Sequence, residues 1–222
     1  MTNTRATVAV VKFPGSLDHD SAVRAAVQAG AHAQLVHHKD DGLPAGTTAV
    51  VLPGGFSYGD HLRCGAIASR APIMQAVTRF AADGGRVLGI CNGFQILCEA
   101  GLLPGVLRSN TSLSFICRQV TLSVDDADSL WTAGRTSGDE LSIPIKNHDG
   151  AWYGDPGEGR VVFRYDETNP TGSFERIAGI ANRDGNVLGM MPHPECACDP
   201  LVGSDDGRTL FDALVGTVAV GV

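Results

Sequence analysis

The stretch Gly89-Ile-Cys91-Asn-Gly93-Phe-Gln95 places a cysteine between two glycines, where a buried apolar run passes directly into a helical pattern. This is the spacing of a nucleophile elbow with sulfur in place of oxygen. Glycines two residues before and after the nucleophile suit that turn, because it brings neighbouring side-chain positions against the backbone, where a Cβ would clash. The turn also sets the Cys91 thiol at a helix N-terminus, where the macrodipole and free N–H groups favour the reactive thiolate. A cysteine nucleophile needs a proton acceptor and a third group that orients it. Met191-Pro-His193-Pro-Glu195 holds candidates for both: His193 follows an apolar run between two prolines, and Glu195 is within reach of the imidazole. A third segment, Val50-Val-Leu-Pro-Gly54-Gly55-Phe-Ser-Tyr-Gly-Asp60, is another apolar run entering a glycine turn. Backbone N–H groups around Gly54 and Gly55, with that of Asn92, are placed to hold the oxyanion of a tetrahedral intermediate.

An alternation of strands and helices would bring these segments to one sheet edge. Residues 7–13 read as a β-branched strand closed by Pro14-Gly15, and 21–30 as a helix with Asp20 as cap. Strands follow at 34–37 and 47–52, then a helix over 67–82 ending in Asp83-Gly84-Gly85. Residues 86–90 form a buried strand and 92–100 a helix stopped by Gly101 and Pro104. Four β–α alternations of this kind favour a parallel sheet covered on both faces. From residue 115 the pattern changes to alternating runs, at 115–124, 141–146, 160–165, 177–181 and 186–191, which predict strands, several of them antiparallel. Residues 206–220 predict a last helix with Leu210, Phe211, Leu214 and Val218 on one side. The expected architecture is α/β: one domain over 1–222 with a flavodoxin-like, doubly wound, mostly parallel sheet and an antiparallel extension.

Composition narrows the function classes. The chain has 222 residues, 43% hydrophobic and 18% charged, which is enough apolar surface for a packed core. A net charge of -7 and 17 scattered basic residues argue against nucleic acid as a partner. Residues 1–5 are polar and lead into a short apolar run at 7–11, with neither signal-peptide architecture nor a bilayer-spanning stretch, so a soluble cytoplasmic protein with no membrane partner is expected. Six cysteines without a secretory signal read as reduced thiols, with Cys64, Cys98 and Cys117 as packing residues. His193, Cys196 and Cys198 lack the spaced pairs of a structural zinc site, so no metal is expected. His37-His38 would point to opposite faces of a strand as solvent-facing polar residues, and Asp125-Asp126-Ala-Asp128 reads as a solvated turn or helix start. None of the three lysines, at 12, 39 and 146, lies in a phosphate loop.

With these motifs in view, the chain resembles the class I, triad-type glutamine amidotransferases, whose hallmark is Gly-x-Cys-x-Gly-x-Gln followed much later by His-x-Glu. Phe13-Pro-Gly-Ser16, Pro53-Gly-Gly-Phe-Ser-Tyr-Gly-Asp60, Leu62-Arg-Cys-Gly-Ala-Ile-Ala68, residues 89–103 and Gly185-Asn-Val-Leu-Gly-Met-Met-Pro-His-Pro-Glu195 are similar to one branch of that family. That branch is the glutaminase subunits of phosphoribosylformylglycinamidine synthase, and the likeness runs over nearly the whole chain. The resemblance implies Cys91, His193 and Glu195 as the triad and Gln95 as a residue that helps hold glutamine. It implies hydrolysis of glutamine to glutamate, with the ammonia passed to a synthetase that converts formylglycinamide ribonucleotide and ATP to formylglycinamidine ribonucleotide in purine biosynthesis. The implied partners are a large ATP-using synthetase subunit and a small bridging subunit; ATP and magnesium belong to the synthetase, and this chain carries no cofactor. Three segments depart from the branch: Leu17-Asp18-His19 stands for Asn-Cys-Asp, Lys146-Asn-His-Asp-Gly150 for a His-Gly-Glu-Gly-like turn, and Cys196 for a basic residue. No role follows for them by analogy. A glutaminase for another synthetase, a Cys-His-Glu hydrolase such as a peptidase on the same fold, and a binding subunit without turnover remain alternatives.

Overall fold

A computed structural model describes residues 5–216. The chain opens with β1 (Thr7–Lys12), α1 (His19–Gln28), β2 (His32–His37), β3 (Thr47–Leu52), α2 (Pro72–Ala82), β4 (Arg86–Ile90) and α3 (Asn92–Glu99). It continues with β5 (Val106–Arg108), β6 (Ile116–Val124), β7 (Glu140–Asn147), β8 (Ala151–Tyr153), β9 (Arg160–Tyr165), β10 (Ile177–Ala181), β11 (Val187–Met190) and α4 (Arg208–Val215). Nine strands form one sheet in the order β2-β1-β3-β4-β11-β10-β9-β6-β7. The first five run parallel and the last four pair antiparallel, which is the doubly wound core with antiparallel extension expected from the sequence.

Successive strand residues point to opposite faces, so a strand buried at every position has cover on both sides. Val8, Ala9, Val10 and Val11 of β1 and Val87, Leu88 and Ile90 of β4 are all fully buried. The cover comes from helices: α1 packs on β1, β2 and α4, and α3 packs on β3, β4 and β11.

Several boundaries differ from the sequence reading for local reasons. The helix predicted over 67–82 is broken into a 3-10 turn (Ala68–Arg70) and α2, because Ala71 precedes Pro72 and is extended at φ -62, ψ 147. Proline then occupies the first helical position, where its missing N–H costs nothing. No α-helix joins β2 to β3, so three rather than four alternations precede residue 100. The α1 helix starts two residues early, which makes Asp18 and not Asp20 the cap position. The three-residue strands β5 and β8 pair in a separate small sheet, too short to show a period-two pattern. The predicted last helix is described as Arg208–Val215; its expected continuation at 217–220, like the reading of residues 1–4, lies outside the described residues. Among the described residues no helix is long and apolar enough to cross a membrane.

Two consequences of this topology position the site. The parallel strands β1, β3, β4 and β11 end at a common edge, so the loops after Lys12, Leu52, Ile90 and Met190 converge there. Four inter-strand steps separate β7 from β11, a gap of roughly 19 Å in a flat sheet. Yet the His193 N–H donates to the Pro144 carbonyl of β7 at 2.8 Å, so the antiparallel limb curls back over the same edge.

Candidate active site

Cys91 sits between β4 and α3 with φ 50 and ψ -105, a left-handed conformation that a residue with a Cβ adopts only under constraint. Its N–H donates to the Met190 carbonyl at 2.8 Å, which ties the elbow to β11. The turn depends on close backbone approach at Gly93, where a Cβ would lie 1.9 Å from the Leu52 carbonyl oxygen of the central strand β3. A Cβ at Gly89 would in turn lie 2.8 Å from the Gly93 backbone. Neither strand nor helix can give way there. Gly93→Ala is therefore expected to destabilise the fold by about 3 kcal/mol or more, read as a fall in denaturation midpoint at unchanged slope.

His193 and Glu195 follow β11. The imidazole is 1% exposed, and its Nδ1 lies 2.6 Å from Glu195 Oε1. Its other nitrogen, Nε2, is buried without a hydrogen-bond partner among the described residues. Burial alone would lower the pKa of His193, but the Glu195 carboxylate, and after it Cys91, outweigh burial and push it up to about 10. An imidazole held by a carboxylate on one nitrogen, with the other left for a reacting group, is the arrangement of an acid–base histidine.

Cys91 and His193 share one cavity of about 280 Å³, also lined by Asp18, Gly55, Gln95 and Lys146. Gly55 has φ 150, and a Cβ there would lie 2.4 Å from the Gly15 carbonyl oxygen. Gly54 lies behind it, its carbonyl accepting from the Leu17 and Asp18 N–H groups at 3.0 and 3.2 Å. The backbone of Asn92 opens α3, where first-turn N–H groups have no intrahelical acceptor. Its side chain is structural: Oδ1 accepts from the Ser57 N–H at 3.1 Å, and Nδ2 donates to Gln95 Oε1 at 2.9 Å. Gln95 Nε2 donates to the Asp149 carbonyl at 2.6 Å, linking α3 to the loop after β7.

Other sequence readings need correction. His38 is not a solvent-facing residue: it is buried, its Nδ1 lies 2.7 Å from the Tyr58 hydroxyl, and it braces the loop after Gly55. Cys117 is exposed and Cys64 lines the cavity; of the three cysteines assigned to packing, Cys98 alone is set against the core. The acidic run is a turn with Asp125 and Asp128 exposed, as expected, but it is also tied down, Asp125 pairing with Arg164 at 2.8 Å and Asp126 with Arg160 at 2.7 Å.

Comparison with known proteins adds the lineage. A profile described as a CobB/CobQ-like glutamine amidotransferase domain matches residues 5–208. The chain is 51% identical over 217 residues to phosphoribosylformylglycinamidine synthase subunit PurQ of Novosphingobium aromaticivorans, covering 94% of this chain and 96% of that one. It is 53% identical over 220 residues to the subunit of the same name from Cereibacter sphaeroides, covering 96% and 98%. The chain belongs to the PurQ family. Among solved structures it resembles a chain of the PurLQS structure from Thermotoga maritima, with a TM-score of 0.91 and 39% identity over 97% of this chain and 100% of that one.

As a PurQ-family chain it is a glutamine amidotransferase of purine biosynthesis. Around the cavity lie groups that sequence reasoning did not assign. Asp18, before α1, lies 3.7 Å through Oδ2 from His193 Nδ1, and its Oδ1 lies 2.5 Å from Lys146 Nζ of β7. Tyr165 of β9 is fully buried close enough to Cys91 to feel its charge, and burial raises the pKa of its phenol. Asp18, His193, Glu195 and Cys196 bring four potential donor atoms within 4.8 Å of one another, and the Lys146 ammonium already supplies positive charge there. The one sequence signal for Asp18 and Lys146 was their place in segments that depart from the family pattern.

Proposed function

We propose that this PurQ-family chain hydrolyses glutamine through Cys91, His193 and Glu195. The observation that carries the reading is the buried 2.6 Å His193–Glu195 pair opening on the same cavity as a cysteine held at φ 50. The Cys91 thiolate attacks the side-chain carbonyl of glutamine, and N–H groups at Gly55 and Asn92 hold the oxyanion. His193 gives a proton to the leaving ammonia, and the acyl group stays on sulfur as a γ-glutamyl thioester. Water then adds to the thioester, His193 takes its proton, and glutamate leaves as the thiolate returns. Glu195 stabilises the imidazolium in both steps.

The ammonia is delivered to a large ATP-using synthetase subunit, with a small bridging subunit completing the complex. The similarity to a chain of the PurLQS structure from Thermotoga maritima supports this composition. ATP and magnesium are held by the synthetase, and the complex works in the cytoplasm. Free ammonia would be protonated and lost in water, so hydrolysis is expected to be slow in the isolated chain. Glutamate release should rise strongly when the synthetase, the bridging subunit, formylglycinamide ribonucleotide and ATP are added together. Release that ignores those additions would keep the glutaminase and discard the purine synthetase as its acceptor.

A further inference from the structure

The three segments in which the sequence departs from its family pattern, 17–19, 146–149 and the position after Glu195, meet at one place. Asp18 bonds Lys146 at 2.5 Å, Lys146 feels the charges of Asp18 and Glu195, and Cys196 Sγ lies 3.8 Å from Glu195 Oε1. They surround His193. Asp18 occupies the cap position of α1 yet makes no side-chain cap bond, because its carboxylate is turned into the site. One oxygen bonds the ammonium, and the other lies 3.7 Å from His193 Nδ1. Gly54 leaves room for this approach: a Cβ there would lie 2.6 Å from both Asp18 Oδ2 and His193 Cε1.

Nδ1 carries one proton and so has one hydrogen-bond acceptor. Glu195 holds it at 2.6 Å, and Asp18 stands 1.1 Å further off, at 3.7 Å. What keeps the second carboxylate from competing is the ammonium it already serves. Burial is the largest single influence and works against the charge on Lys146, but the hydrogen bond and charge of Asp18, together with the Glu195 carboxylate, outweigh it and raise the pKa, so the ammonium persists. Lys146 is also tied to the nucleophile, since its carbonyl oxygen lies 3.9 Å from Cys91 Sγ. We propose that Asp18 and Lys146 are positioning residues for His193: the ammonium holds the Asp18 carboxylate beside the ring, where it steadies the imidazolium without displacing Glu195 from Nδ1.

The inference rests on His193 as the proton carrier. The charged and titratable groups around the ring are Glu195 on its own turn, Asp18 from the loop before α1, Cys91 from the elbow, and, through Asp18 and Glu195, Lys146 of β7 and Cys196. The test is the pH profile of kcat/KM for glutamine hydrolysis by the assembled enzyme. Asp18→Asn leaves the lysine charge uncompensated, and the alkaline limb, where the imidazolium is lost, should move down by about one pH unit. Lys146→Met leaves the carboxylate uncompensated, and the same limb should move up by a similar amount. The double variant should return close to the parent, and Lys146→Arg should keep the parent limb. Asp18→Asn is isosteric and carries the test alone if the Met variant fails to assemble. Shifts of the same sign in both single variants, or an unmoved limb with only kcat reduced, would overturn the pairing. His193→Ala separates the two layers: activity retained in it removes the proton carrier and the inference together, whereas activity lost in it, with unmoved limbs in the pair variants, removes the inference alone.

Discussion

Cys91→Ala is expected to lower glutamate release by the assembled enzyme by at least about 10⁴-fold while leaving the fold intact. The size follows from the chemistry, because without sulfur no thioester forms and the oxyanion site has nothing to stabilise. No neighbouring thiol can substitute. Burial, then Asp60, pushes the Cys64 pKa far above its ordinary value, and burial, then Glu195, pushes Cys196 up to about 12, so both stay protonated at working pH. Alanine keeps a Cβ at φ 50, so the strain of the elbow is retained and thermal stability should stay close to the parent. Cys91→Gly relieves that strain and should be the more stable of the two, by roughly 1 kcal/mol. Inactive variants ranked in this order in a thermal melt would show that the elbow stores strain to present the nucleophile. Residual turnover within a hundredfold of the parent would remove Cys91 as the attacking group.

Glu195→Gln carries the second large effect, an expected loss of about 10³- to 10⁴-fold in kcat with little change in KM. The carboxylate is wholly buried and its Oε1 lies 2.6 Å from Nδ1, so it accepts the Nδ1 proton and leaves Nε2 for the reacting groups. A carboxamide can present its NH₂ to Nδ1 instead, which selects the wrong tautomer, and it cannot offset the imidazolium charge. A stability measurement checks the same interaction. The folded-state pKa of His193 stands above its ordinary 6.5, so the stabilisation from Glu195 is complete below about 6.5 and declines as pH rises towards about 10. The stability gap between parent and Glu195→Gln should therefore be widest near pH 6 and close as the pH approaches 10. A gap that widens with pH would contradict the charge assignment.

The legible part of this protein was local. Val8 to Val11, Val50 to Leu52 and Val87 to Ile90 announce buried strands because burial on both faces demands unbroken apolar runs. The break in the helix predicted over 67–82 was also written locally, in Pro72, but a periodic apolar pattern on both sides of it hid the extended Ala71. The short strands β5 and β8 left no signal, since three residues cannot display a period. His38 is misread because it lies one residue past the end of β2, and a strand alternation says which way a side chain points and not what covers it. Its burial comes from the loop carrying Tyr58.

For the site, the sequence alone determined the elbow around Cys91, the pair His193 and Glu195 two residues apart, and the glycine turn at Gly54 and Gly55. Each is specified by neighbours along the chain, through tight-turn sterics and the reach of one side chain to the next. The meeting of Asp18 with Lys146 and His193, and the burial of Tyr165 near Cys91, were decided by tertiary structure alone. The separation of 128 positions from Asp18 to Lys146 is bridged because the antiparallel limb curls until β7 hydrogen-bonds the His193 loop. Curl accumulates from the twist between successive strands and is a property of the whole sheet. No window of sequence contains it, and so the charges that surround His193 became visible only in the folded chain.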